Sequence, residues 1–266
     1  IAPLWALAGL DLRLGGQFAV DLSNGDGRRF RFSGPASLTN GVFEDGVTGI
    51  YLEELEARLQ LDTEAITVEQ ASARGAGGGS ITARGTYNFN GDSDLEATLT
   101  RLRALRRDDV STTLSGRASV ERHDRRTRVE GDIRIDEMRV DLSKIPRAGY
   151  TVLDVQFRYG REDKDEESST REAITLDLDV RADRRVFVDG PSFESEWGVD
   201  ANVKGSPGAP VLTGAATLVR GEADVIGQRF DLSEGRIQFA GAPSDSELNL
   251  RAERTSDGVT TMIMLR

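Results

Sequence analysis

The sequence predicts an all-β protein built from consecutive hairpins, with very little helix. Apolar and polar residues alternate along most of the chain, which is typical of strands that bury one side. Turn signals such as Asn90-Gly91, Glu130-Gly131 and Asp257-Gly258 recur at roughly eight to twelve residues. Glycine in such pairs supplies the positive φ angles that tight hairpins need. This spacing favours hairpins over β-α-β units.

Early in the chain, the segment 52–59 is rich in Leu and Glu, and its composition alone favours a helix. The alternation of Leu55, Ala57 and Leu59 continues through Leu61, so we predict a strand instead.

The glycine-rich segment 75–79 suggests a phosphate cradle, but it lacks the Lys-Ser/Thr ending, and a strand-like pattern follows it. We therefore predict a hairpin turn or bulge at 75–79.

The clearest strand lies at 174–180, where aliphatic side chains alternate with carboxylates. Before it, residues 161–172 carry many charges and no large apolar residue, so we expect a mobile loop. Its carboxylates lack the spacing of an EF-hand; they are Asp163, Asp165, Glu166 and Glu167. This loop divides the chain into segments 1–160 and 173–266. Because the chain begins at Ile1 and stops at Arg266 within an alternating run, we expect a fragment of a longer polypeptide.

The composition excludes much active-site chemistry. The chain has no cysteine and one histidine, which excludes disulfides, thiolate catalysis and paired-histidine metal sites. His123 beside Asp124 is a candidate base, but no nucleophile motif accompanies it, so a solvated turn is the better interpretation. A net charge of −11 opposes nucleic-acid binding. We predict no enzyme, no catalytic residue, no metal and no cofactor.

Arginines are clustered in this acidic chain. On an exposed sheet they usually form ion pairs, and contact with phospholipid headgroups or a partner is the alternative. The clustered residues are Arg101, Arg103, Arg106, Arg107, Arg122, Arg125, Arg126, Arg128, Arg184 and Arg185.

The apolar side of the predicted strands is the remaining candidate site. A closed sandwich would cover it, whereas an open groove would present it to a ligand, and the alternation is the same in both. The sequence contains no run of about eighteen apolar residues, so it predicts no membrane-spanning helix. The candidate groove-lining residues are Ile174, Leu176, Leu178, Val180, Val186, Val188, Phe230, Leu232, Ile237, Phe239, Leu248 and Leu250.

An ordered set of residues over 174–266 resembles the C-terminal domain of the TamB family, the inner-membrane subunit of the translocation and assembly module. Segment 185–190 looks like that domain's valine-rich strand ending in glycine, although Asp189 stands where a basic residue is expected. The earlier part, with Leu114-Ser115-Gly116, is similar to AsmA-like repeats. The matching residues that follow are Pro210, Leu212, Thr213, Gly214, Leu218, Val219, Arg220, Gly221, Gly227, Phe230, Leu232, Gly235, Ile237, Phe239, Gly241, Leu248, Leu250 and Ala252.

The resemblance implies an elongated, folded-over sheet (a β-taco) with an apolar concave interior. It implies the periplasmic portion of an inner-membrane-anchored envelope protein of a Gram-negative bacterium. The implied function is a non-enzymatic conduit for phospholipid acyl chains between the two membranes, in support of outer-membrane biogenesis. The alternative is a chaperone-like module that handles unfolded outer-membrane protein clients in assembly or secretion. Both involve an outer-membrane barrel partner of the Omp85 type.

Overall fold

The protein is an elongated all-β chain, as the sequence predicts. The computed structural model describes residues 12–20, 23–24, 32–45, 49–103, 105, 107–124, 126–144, 173–256 and 258–266. The predicted loop at 161–172, with its carboxylates, lies outside these residues. The described residues form one open, curled sheet. Its strands are β1 (Leu12–Val20), β2 (Ser23–Asn24), β3 (Phe32–Asp45), β4 (Ile50–Leu61), β5 (Ala65–Gly75), β6 (Ser80–Asn88), β7 (Ser93–Leu102), β8 (Val110–His123), β9 (Arg126–Asp141), β10 (Ala173–Gly190), β11 (Phe193–Ser206), β12 (Ala209–Val225), β13 (Gln228–Gly241), β14 (Glu247–Ser256) and β15 (Val259–Leu265).

Strand order in the sheet follows chain order, except that β2 pairs only with β3 outside the main path. Most neighbours are antiparallel, as consecutive hairpins require. The predicted turn at Glu130-Gly131 is wrong, because both residues lie within β9 and pair with β8 and β10. The pair β9–β10 is parallel, with Arg126 opposite Ala173 and Asp141 opposite Asp189. The hairpin pattern did not predict this pair, because a parallel pair needs a crossover of a dozen or more residues instead of a tight turn.

Strand β4 confirms the prediction for 52–59. Its register with β5 shifts between Glu53 and Glu56, which marks a β-bulge, and Glu54 has a left-handed φ of 50°. One extra residue at a bulge moves the following side chains to the other side of a strand. Leu52 and Leu55 therefore lie on the same side of the sheet although their numbers differ in parity.

Strand pairing places the alternating apolar residues of β4 to β14 on one side of the sheet, called here the apolar face. Two rows across the strands define it. Side chains in a row stand beside one another because directly paired residues share a face. The first row is Leu59, Val68, Gly85, Leu95, Val120, Val129 and Leu176; the second is Ala57, Ala71, Ala83, Ala97, Ala118, Gly131 and Leu178.

A line of β-bulges crosses the sheet from β7 to β13 and is called here the crease. Register shifts mark it next to Arg101, at Asp136, before Val186, next to Trp197 and at Ser233. Bulges bend a strand and increase its twist, so a row of them bends the whole sheet along one line. Buried side chains of the apolar face concentrate there, and they include Leu102, Ala182, Val186, Trp197 and Ala216.

Candidate functional site

The apolar face is open. Among the described residues, no side chain is fully enclosed, and every buried one except Glu196 lies on this face. Away from the crease, Leu95, Val120 and Val129 are only half-buried. A closed sandwich would cover such side chains with a second sheet, whereas these strands form a single open sheet. Of the two alternatives that the sequence left, the structure therefore has the open one and not the closed sandwich.

All the predicted groove-lining residues lie on the apolar face, as their register shows. Ile174 and Leu248 are the most exposed of them, each at 40%. One group contributes to two apolar clusters at the crease, and it comprises Val186, Val188, Phe230, Leu232, Ile237, Phe239 and Leu250. The other group lies on the face outside these clusters, and it comprises Ile174, Leu176, Leu178, Val180 and Leu248.

One of the two clusters contains the buried residues Ala182, Val186, Trp197 and Ala216. Trp197 was not among the residues predicted from the sequence. This tryptophan is 4% exposed and packs with Ala182 and Val186. The indole Nε1 donates to Ser195 Oγ at 2.8 Å, and Ser195 Oγ donates to the Val188 carbonyl at 3.2 Å. These two polar groups of the apolar face are therefore satisfied within the protein. The alternation of Phe193, Ser195, Trp197 and Val199 is the signal that would have found this residue.

On the opposite side, called here the polar face, carboxylates fix the crease. Glu196 accepts hydrogen bonds from the Arg220 Nε at 2.6 Å and from the backbone N–H of Arg185 at 3.2 Å. Arg185 has a left-handed φ of 74°, so this bond supports a strained residue at the bulge. The Arg220 hydrogen bond, more than any other contact, lowers the pKa of Glu196. Asp136 accepts from Arg134 Nε at 3.0 Å and from the Ser115 hydroxyl.

The polar face also holds a shallow depression of about 1020 Å³ across β5 to β10, which the sequence did not predict. Arg84 and Glu96 form an ion pair on its floor at 2.7 Å. Asn202 Nδ2 donates to Asp177 at 3.1 Å and to Asp179 at 3.0 Å. Hydrogen bonds from Asn202 and then Lys204 lower the pKa of Asp177. One face of the sheet is therefore charged and internally paired, and the other is apolar.

A family model described as the TamB C-terminal domain matches residues 69–263, which is more than half of the chain. The chain belongs to the TamB family. The match extends the resemblance over 174–266 back to β5. Membership makes this TamB chain a cell-envelope protein, with a role in outer-membrane assembly or in the transport of envelope protein or lipid. Comparison with curated proteins gives no match.

The remaining sequence candidates of this TamB chain have structural explanations. His123 is 78% exposed in its side chain and lies 3.2 Å from Asp92 and 3.4 Å from Asp124, which confirms the solvated turn. The segment 75–79 is the turn between β5 and β6, as predicted. Within the described part of the chain, no three His, Asp or Glu residues are grouped to hold a metal ion.

The clustered arginines differ in their contacts, and two of them, Arg106 and Arg125, lie outside the described residues. Arg107, Arg128 and Arg185 form the predicted ion pairs, with Asp109, Glu130 and Glu137 respectively. Arg101 and Arg103 have no ion pair or side-chain hydrogen bond to another described residue. In the described ranges of this TamB chain, no helix has the length and hydropathy to cross a membrane.

Proposed function

We propose that the apolar face of this TamB chain carries phospholipid acyl chains between the inner and outer membranes. In this proposal the chain is a non-enzymatic conduit that supports outer-membrane biogenesis. The observation that carries it is the continuous apolar face, which runs over successive strands without a covering layer. An exposed apolar surface of this extent is normally an interaction site.

The dimensions of the sheet suit a conduit. Fourteen strands follow one another along the main path, and at about 4.8 Å per strand they span roughly 60 Å of contour. Each acyl CH₂ that leaves water for the apolar face gains about 0.8 kcal/mol when it is fully buried. Because the face is open, the chain would be buried on one side only, and the gain per CH₂ would be smaller. Such partial burial favours weak binding of an acyl chain to the apolar face, so that the chain can leave it again.

The chemistry of the lining also favours movement along the face. The rows across β4 to β10 carry aliphatic side chains, alanine and glycine. At the crease, Ser195 and Trp197 bond to each other. An acyl chain would therefore move without making or breaking directional bonds.

The envelope setting completes the proposal. We propose that the sheet lies in the periplasm, that the full protein is anchored in the inner membrane, and that an Omp85-type barrel receives the lipid in the outer membrane. The family role in outer-membrane assembly supports this setting. No step in the proposal requires catalysis or a cofactor.

Photo-crosslinking in cells tests the proposal. A photoreactive residue at Leu178 stands on the apolar face, and the matched control at Asp179 stands on the polar face one residue away. We expect phospholipid adducts at 178 and few at 179. Polypeptide adducts at 178 without lipid would instead support the chaperone-like module for unfolded outer-membrane proteins. Equal lipid capture at both positions would mean that the apolar face has no special role.

A further inference from the structure

A second depression on the polar face, with a volume of about 630 Å³, lies where the β5–β6 turn meets the end of β7. Three arginines line it, together with the glycines of the turn. Arg185 is neutralised by Glu137, and the other lining carboxylate, Asp136, is engaged by Arg134 and Ser115. The unneutralised charge in the depression therefore belongs to Arg101 and Arg103.

These two arginines differ from most others in the sheet. In a chain of net charge −11, an arginine usually finds a carboxylate, yet neither guanidinium has a charged or hydrogen-bonded partner among the described residues. Arg58 and Arg236 donate hydrogen bonds to the side chains of Gln70 and Gln238. The arginines that form an ion pair with a carboxylate are Arg74, Arg84, Arg107, Arg128, Arg134, Arg139, Arg181, Arg185, Arg220, Arg229 and Arg251.

The backbone holds both arginines in place. Gly77 N–H donates to the Arg103 carbonyl at 3.0 Å, and Arg103 N–H donates to the Gly78 carbonyl at 2.9 Å. A Cβ on Gly79 would lie 2.0 Å from the Arg101 carbonyl oxygen, so only glycine permits this approach. Arg101 itself has a left-handed φ of 47°, and its N–H donates to Ser115 Oγ at 3.0 Å.

We infer that Arg101 and Arg103 bind a phosphate group where β7 ends at Leu102, a position called here the rim of the sheet. Two guanidinium groups that line one depression suit phosphate because their planar N–H forks match the geometry of its oxygens. Hydroxyl groups of Ser80, Thr100 and Thr113 line the same depression and can donate further bonds.

The position of the site indicates which phosphate it takes. Leu102 lies between the two arginines and is buried on the apolar face at 7% exposure, opposite Leu114. A phospholipid could therefore place its headgroup phosphate on the arginines at the rim and its acyl chains on the apolar face. This lipid assignment rests on the proposed function, whereas a site for free phosphate does not.

Calorimetric titration at low salt tests the inference with two probes, inorganic phosphate and soluble dihexanoylphosphatidylglycerol. We expect both to bind the unaltered protein, and the double change Arg101→Gln with Arg103→Gln to weaken both by about tenfold or more. The matched control is Arg84→Gln, which removes an ion-paired arginine of the same face and should leave both affinities unchanged.

A third variant separates position from charge. Gly77→Ala would place a Cβ 2.5 Å from Arg103 Cδ and 2.7 Å from Cγ, so the flexible side chain must move while both charges remain. We expect weaker phosphate binding and an almost unchanged melting temperature. It also serves as the test variant if the double change fails to fold.

The outcomes are distinguishable from those of the proposed function. Tighter binding of the lipid than of phosphate assigns the headgroup, and equal binding assigns free phosphate; both support the site. Absence of binding, or equal loss in the Arg84→Gln control, overturns it. Lipid capture at Leu178 together with no phosphate binding would refute the phosphate site and support the conduit. Phosphate binding without lipid capture at Leu178 would support the phosphate site and refute the conduit.

Discussion

Replacing valine by threonine at two positions of the apolar face distinguishes an open face from a covered one. The change keeps the shape of the side chain and converts one methyl group to a hydroxyl. Val120 is half-buried in the middle of β8, between Leu95 and Val129. Val186 is 7% exposed and packs beside Trp197 at the crease.

The expected costs follow from these surroundings. At Val120, water reaches the new hydroxyl, so it is not left without a partner. The free energy of unfolding then falls only by part of the transfer free energy of one methyl group, about 0.5 kcal/mol. At Val186, the methyl contributes its full 0.8 kcal/mol or so, and the hydroxyl is buried without a partner at roughly 1–3 kcal/mol. Val186→Thr should therefore lower the free energy of unfolding by about 2 kcal/mol or more.

Urea unfolding followed by far-ultraviolet circular dichroism measures both changes. The expected result is a midpoint almost unchanged for Val120→Thr and clearly lowered for Val186→Thr, with equal slopes. If Val120→Thr lowers the free energy of unfolding as much as Val186→Thr does, then a second layer covers β8. That result would contradict an open apolar face.

Three further changes test individual contacts. Ile226 is 96% exposed at a left-handed φ of 53°, so Ile226→Asn should raise the free energy of unfolding by about 1 kcal/mol in thermal or urea melts; a loss would show that the isoleucine packs on something. The pKa of Glu196 is lowered by Arg220, so its ionised form stabilises the fold above the carboxyl's ordinary pKa near 4.3. The stability difference between the unaltered protein and Glu196→Gln should therefore shrink as pH falls through the lowered pKa, and a pH-independent difference would contradict this. A Cβ at Gly214 would lie 2.3 Å from a backbone oxygen at φ 119°, so Gly214→Ala should cost more than about 1 kcal/mol, while the unhindered Gly208→Ala should be nearly neutral in the same assay.

The faces of the sheet could be predicted from the sequence because the two-residue period of a strand is a local property. Ile174, Leu176 and Leu178 were placed on one side by their spacing alone. Where bulges occur, spacing fails: Leu52 and Leu55 share a face only because Glu54 is an extra residue opposite β5. A bulge depends on the register with the partner strand, which the sequence of one strand does not contain.

The parallel pair β9–β10 could not be predicted for a different reason. Short turns with glycine force the next strand to reverse, and such turns occur between most strands. About thirty residues separate Asp141 from Ala173 in the sequence, which is too many for a tight hairpin turn, so the hairpin rule does not fix the direction of β10. Only the register of Arg126 with Ala173 reveals it.

The phosphate site was only partly visible in the sequence. The arginine clusters were evident, but pairing across strands decides which arginines are neutralised. Arg84 stands directly opposite Glu96 once β6 and β7 are in register, and Arg101 finds no such neighbour. The glycines at 75–79 predicted a turn, and their contact with Arg103 required the folded sheet.

The central claim, that acyl chains pass along the apolar face, is tested most directly by placing a charge in their path. Phe239→Arg puts a cation on the half-buried apolar face of β13, and the matched change Gln238→Arg puts it on the other side of the same strand. The measurement is the rate at which labelled phospholipid moves from the inner to the outer membrane in cells that produce each variant at equal levels. We predict that Phe239→Arg slows transfer severely and that Gln238→Arg leaves it near normal. Normal transfer with Phe239→Arg in a folded protein would contradict the account.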